Sequence, residues 1–118
     1  MFQPILKETV EKVSGALGAL FLDWEGESVE IASRDSSTFD LKIIGAYQGI
    51  FLNQVKKICH DLEQGSPERF KLELSQITLL NWVLKDGYYV VLLLRPGSNE
   101  GVAWQELSLL RQRLLLEM

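Results

Sequence analysis

From Gln3 to Val13 apolar side chains recur at Ile5, Leu6, Val10 and Val13, a spacing that gathers them on one side of a helix. Gly15 closes that helix. Ala16 to Asp23 is then apolar at successive positions, as a strand covered on both faces would be. Trp24-Glu25-Gly26 turns the chain into Ser28 to Ala32, where Val29 and Ile31 alternate with Ser28, Glu30 and Ala32, so the two strands form a hairpin. After the polar stretch Arg34 to Ser37, with Ser37 placed to cap a helix N-terminus, a long helix runs from Thr38 to about Leu62. At about 100° per residue, Phe39, Ile43, Ile44, Tyr47, Ile50, Phe51, Val55, Ile58 and Leu62 form one broad apolar face, which the pattern assigns to the core. Leu41, Leu52 and Cys59 fall outside it, near Gly45, Gln48 and Gly49. They make a weaker second stripe that the chain's own sheet would not fully cover.

Gly65-Ser66-Pro67 breaks the chain, and Arg69 to Leu74 alternates cleanly, with Phe70, Leu72 and Leu74 on one face and Arg69, Lys71 and Glu73 on the other. That is the pattern of an edge strand. Ile77 to Leu84 and Tyr88 to Leu94 are two further apolar strands, joined by Lys85-Asp86-Gly87, whose Asp-Gly pair signals a tight hairpin. Arg95-Pro96-Gly97-Ser98 ends the sheet. A last helix runs from Asn99 or Glu100 to Leu116 with anchors at Val102, Leu107, Leu110 and Leu114. The order of elements is α-β-β-α-β-β-β-α, an α+β class. No repeat, low-complexity tract or long linker divides the chain, so residues 1–118 are expected to form one domain.

Composition narrows the function classes. With 16 acidic and 12 basic side chains the net charge is -4, and no stretch gathers Lys and Arg into a patch that would neutralise phosphates, which argues against nucleic acid as a partner. Cys59 is the only cysteine, so no disulfide closes within the chain and a reducing cytoplasm fits. The longest apolar runs fall well short of the roughly 20 residues of a membrane-crossing helix. The charged residues between Met1 and Ser14 leave no signal-peptide core.

The element order, together with the run Val13-Ser14-Gly15-Ala16-Leu17-Gly18-Ala19-Leu20-Phe21-Leu22-Asp23-Trp24-Glu25-Gly26, resembles the Roadblock family of dynein-associated light chains and its bacterial MglB-like members. Further points of resemblance are the Lys85-Asp86-Gly87 turn and Asn99-x-Gly101 opening the last helix. The resemblance implies a five-stranded antiparallel sheet with the long middle helix on one face and the terminal helices on the other. It also implies a homodimer in which the third strand pairs with its copy and the middle helices lie side by side. The interface would then comprise Arg69, Phe70, Lys71, Leu72, Glu73 and Leu74 of the strand with Leu41, Gly45, Gln48, Gly49, Leu52 and Cys59 of the second stripe. Independently of the resemblance, an open strand border is a liability that a partner removes. Two interior helical glycines, each costing up to about 1 kcal/mol against Ala, suit close approach of a second helix, or else make room for the chain's own sheet.

Bacterial relatives of that family act on small Ras-like GTPases without supplying catalytic groups, so the expected role is a GTPase regulator or adaptor. Its partner-binding residues would be Arg34, Asp35, Thr38, Lys42, Gly45 and Gln48. A scaffold subunit that binds whatever the nucleotide, and a small-molecule sensor with a closed cavity of about 300 Å³ or more, are the alternatives.

Enzymatic chemistry finds little footing. Cys59 and His60 are adjacent and point apart on a helix, with no further Cys or His to complete a metal site or orient a base. Arg34 stands where an arginine finger would, but the family implied supplies none. The segment Pro96 to Gly101 precedes a helix, yet it lacks the Lys-Ser/Thr pair of a phosphate loop, and Glu100 opposes an anion there. The carboxylate pairs Glu25/Glu27 and Glu8/Glu11 lie on polar surface. Trp82, Trp104, Tyr88 and Tyr89 suit a core or an interface better than a stacked ligand. No catalytic residue, metal or cofactor is expected.

Overall fold

A computed structural model describes residues 1–34 and 41–118. Its elements are α1 (Phe2–Lys12), β1 (Ala16–Leu22), β2 (Ser28–Ser33), α2 (Leu41–Leu62), β3 (Arg69–Glu73), β4 (Thr78–Val83), β5 (Tyr89–Leu94) and α3 (Glu100–Glu117). They follow the expected order. The first helical residue expected for α2, Thr38, its cap Ser37 and Phe39 lie outside the described residues.

The five strands form one antiparallel sheet in the order β2-β1-β5-β4-β3. β1 and β5 are flanked on both sides and buried at every position, which is why their sequences are apolar without alternation. β3 lies at a border. Its exposed Arg69, Lys71 and Glu73 alternate with half-buried Phe70 and Leu72.

Helices cover both faces. On one, Ile5, Leu6 and Val10 of α1 and Ala103, Leu107, Leu110 and Leu114 of α3 pack on Ala19, Phe21, Leu80, Val90 and Leu92. Val102, expected among the anchors of α3, is 41% exposed, and Ala103 is buried in its stead. On the other face, Leu41 and Leu52 of α2 pack over Leu20, Leu22, Leu79, Tyr89, Val91 and Leu93.

The turns follow their residues. Asp86 and Gly87 both take positive φ, 56° and 83°, and the Tyr88 amide donates to the Lys85 carbonyl at 3.0 Å, as a type-I′ turn requires, while the Leu84 amide donates to the Tyr88 carbonyl at 2.8 Å, which leaves Lys85 as a bulge beside the turn. α3 begins at Asn99, whose Oδ1 accepts from the Val102 amide at 3.1 Å.

Gly26, at the tip of the β1-β2 hairpin, is buried against α2. Its φ of 81° suits glycine, and a Cβ there would lie 3.2 Å from Gly49 Cα. Gly49 faces the same squeeze from the other side, with Gly26 Cα 2.9 Å and Gly26 N 3.2 Å from the place its Cβ would take. Backbone blocks backbone here. Around Gly45 the nearest obstacle is the terminal Leu22 Cδ2 at 3.0 Å, which can rotate away. Gly49→Ala should therefore destabilise by about 1–3 kcal/mol through overpacking, net of the helix-propensity gain, whereas Gly45→Ala should be close to neutral. Urea midpoints of the two variants check this, and equal midpoints would refute it.

Candidate functional site

α2 carries apolar residues on both sides. Its buried positions are Leu41, Gly45, Gln48, Gly49 and Leu52, and these lie against the chain's own sheet and hairpin. The large side chains Ile43, Tyr47, Ile50, Ile58 and Leu62 are 53–68% exposed. This reverses the expectation from the sequence in two respects. The broad face assigned to the core is largely solvent-facing, and the narrow stripe assigned to a partner is interior. Leu41, Gly45, Gln48, Gly49 and Leu52 are thus corrected from interface to core residues, and the glycines make room for this chain's own hairpin. Gly45 and Gln48 leave the set of partner-contacting residues for the same reason. Cys59 is half-buried.

The outer side of α2 divides further. Phe51 meets the Phe70 ring of β3 at 5.5 Å between centroids, so that flank leans toward the sheet border. At about 100° per residue, Ile44, Val55, Ile58 and Leu62 share the flank with Phe51, while Ile43, Tyr47 and Ile50 point away from the sheet. The opposite flank carries Lys42, Asn53, Lys57 and His60.

Beside this flank runs the outer border of β3. The Leu74 amide donates to the Ile77 carbonyl at 2.8 Å and the Val83 amide to the Glu68 carbonyl at 2.7 Å. Even-numbered residues of this segment therefore exchange hydrogen bonds with β4, and antiparallel alternation aims the N–H and C=O groups of Arg69, Lys71 and Glu73 outward. Among the described residues, no strand pairs with that border. The Arg69 guanidinium sits 4.9 Å from the Trp82 ring centre and 5.4 Å from that of Trp104. Lys71 pairs with Glu73 at 3.0 Å and Glu100 at 3.1 Å, and these hydrogen bonds, Glu73 first, hold its ammonium above the usual lysine range.

No family model and no curated protein matches the sequence. Solved structures do match it. Myxococcus xanthus MglB is similar with a TM-score of 0.86 at 9% identity, over 97% of this chain and 91% of that one. A Roadblock/LC7 domain from Streptomyces avermitilis gives 0.84 at 15% identity, over 98% of each chain. An MglB structure described as having a tetrameric arrangement gives 0.86 at 13% identity, over 95% of this chain and 83% of that one. The fold is that of MglB and the Roadblock/LC7 domains.

Within the Roadblock fold the other candidates fall into structural places. Arg34 is spoken for. Its Nε donates to the Ala16 carbonyl and its Nη2 to the Val13 carbonyl, each at 2.7 Å, and Nη2 also donates to the Val10 carbonyl. The guanidinium ties the end of α1 to the start of β1, so within the chain Arg34 acts as a clamp. Arg34→Ala should lower stability by about 1.5–3 kcal/mol, because a charged donor set satisfies these carbonyls, and a melting curve checks it. An unchanged melting temperature would show that the clamp carries no stability. Asp35 and Thr38, also expected at a partner surface, lie outside the described residues.

No chemistry-bearing cluster emerges among the described residues. None holds three His, Cys, Asp or Glu side chains placed for a metal ion. Trp82 and Trp104 pack edge to face, 5.8 Å between ring centres. Tyr89 is buried under α2, and burial, then the nearby Asp23 charge, pushes its phenol up to about 12. Its hydroxyl, Gln48 Oε1 and Asn81 Oδ1 have no hydrogen-bond partner among the described residues. A groove of about 330 Å³ lies between Phe2, Phe21, Val29, Tyr88 and Met118 and is also lined by Lys85 and Asp86. No described helix is long and apolar enough to cross a membrane.

Proposed function

We propose that the chain is a homodimeric regulator or adaptor of a small Ras-like GTPase, with no catalytic groups of its own. Two copies pair across a two-fold axis, β3 against β3 and the flank of Phe51, Val55, Ile58 and Leu62 against its copy. The paired helices then offer the outward strip of Ile43, Tyr47 and Ile50, rimmed by Lys42 and Lys57, to the GTPase. One observation carries the reading: α2 turns its large apolar side chains to solvent, on the side opposite its buried face. A contiguous apolar strip of that kind on a chain of this size marks an interaction surface. The fold supports the same reading, since it is shared with MglB, for which a tetrameric arrangement is described. The border of β3, unpaired among the described residues, continues the apolar flank, so one partner would cover both.

Light scattering on the purified chain tests the dimer. Mixing the dimer with Ras-like GTPases from the same genome, loaded with GDP or a GTP analogue, tests the partner. Binding confined to one nucleotide state is the expected result. Equal binding in both states would favour a scaffold subunit, and no complex with any of them would overturn the GTPase reading.

A further inference from the structure

Resting on the dimer reading above, we infer that β3 selects a second copy of this same chain, through an antiparallel pairing centred on Lys71 that sets Arg69 against Glu73 of the other strand at both ends. Three features of the border lead there. The outward backbone groups belong to Arg69, Lys71 and Glu73, as the bonds from Leu74 to Ile77 and from Val83 to Glu68 require. The side chains of these three residues share one face of the sheet, the one covered by α3, where Arg69 lies over Trp104 and Lys71 reaches Glu100. Along that face the charges run plus, plus, minus.

A two-fold axis normal to the sheet keeps every residue on its own face, so only pairings that set odd-numbered residues against odd-numbered ones are open. Centred on Phe70, the pairing would bring Glu73 against Pro67, which has no N–H to give. Centred on Leu72, it would bring Arg69 against Ser75, beyond the end of the strand at Glu73. Centred on Lys71, it matches Arg69 with Glu73, Lys71 with Lys71 and Glu73 with Arg69. Every outward N–H and C=O of the strand then finds a partner. Opposite charges meet twice across the strands, and on the other face Phe70 meets Leu72. The two central lysines are directly opposed, but each ammonium is drawn to Glu73 and Glu100 of its own chain. An unrelated strand would have to reproduce this reversed charge order, whereas a copy of the chain carries it by symmetry.

Arg69→Glu and Glu73→Arg test the inference separately and mixed. Alone, each variant sets like charges against each other at both ends, so its dimer dissociation constant should rise about tenfold over the native chain. Mixed, the two variants restore opposite charges at both ends. The mixture should form a heterodimer within about threefold of native affinity, by sedimentation with one variant labelled. That recovery also shows that both variants are folded. Native-like dimers of Arg69→Glu alone, or no recovery on mixing, would overturn this pairing while leaving the dimer itself standing. A native chain that stays monomeric at high concentration would instead remove the dimer reading and this inference with it.

Discussion

Replacing Ile58 by Glu should leave the chain folded and weaken its self-association by about a hundredfold or more, the scale of losing a central apolar contact and burying a charge in its place. Ile58 is 58% exposed, so in the single chain the new carboxylate stands in water and costs little. In the proposed dimer the same position lies on the flank above β3, where the second α2 would cover it. Circular dichroism should therefore be unchanged while sedimentation shows a monomer. Ile50→Glu is the matched control, because Ile50 is 57% exposed but points away from the sheet. It should keep the dimer and lose the GTPase. If Ile58→Glu remains a dimer of native affinity, the flank is no interface and the proposed assembly has to be rebuilt on another surface.

Most of the architecture is legible in the sequence because strand character is a local property. The unbroken apolar runs of β1 and β5 require cover on two faces, and the clean alternation of Arg69 to Leu74 requires a border. Asp86 and Gly87 state their turn outright. The orientation of α2 is a different kind of fact. A helical wheel finds the side with the largest apolar residues, and the inference that this side is the chain's own core holds only when nothing else will bury it. In α2 the interior side is built from Gly45, Gln48 and Gly49 because the hairpin tip at Gly26 comes within van der Waals contact of the helix backbone, leaving no room for bulk. The large residues are displaced to the outer side. Two glycines four apart on a helix do announce close approach, but the wheel cannot say to what. Pairing Gly49 with Gly26, the glycine of the expected hairpin turn, was the available clue. Arg34 was opaque for a related reason. An arginine after a strand is exposed by default, and only the folded chain brings the Val10, Val13 and Ala16 carbonyls around its guanidinium.

Leu52→Ala should destabilise the single chain by about 2–5 kcal/mol, the range for emptying a buried leucine site. Ile50→Ala, two residues away, should change it by less than about 0.5 kcal/mol, as surface substitutions do. Leu52 is 2% exposed over the sheet and Ile50 is 57% exposed. The comparison is made in a monomeric background such as Ile58→Glu, since in a dimer the apparent stability would include association and hide the difference. Reading the helix by its large residues alone would predict the opposite ranking, with Ile50 the costly site. Urea denaturation of the two variants thus decides which side of α2 the fold itself depends on. If Ile50→Ala proves the more destabilising, α2 is rotated relative to the sheet, and the strip offered to a partner is the one carrying Gly45 and Gly49.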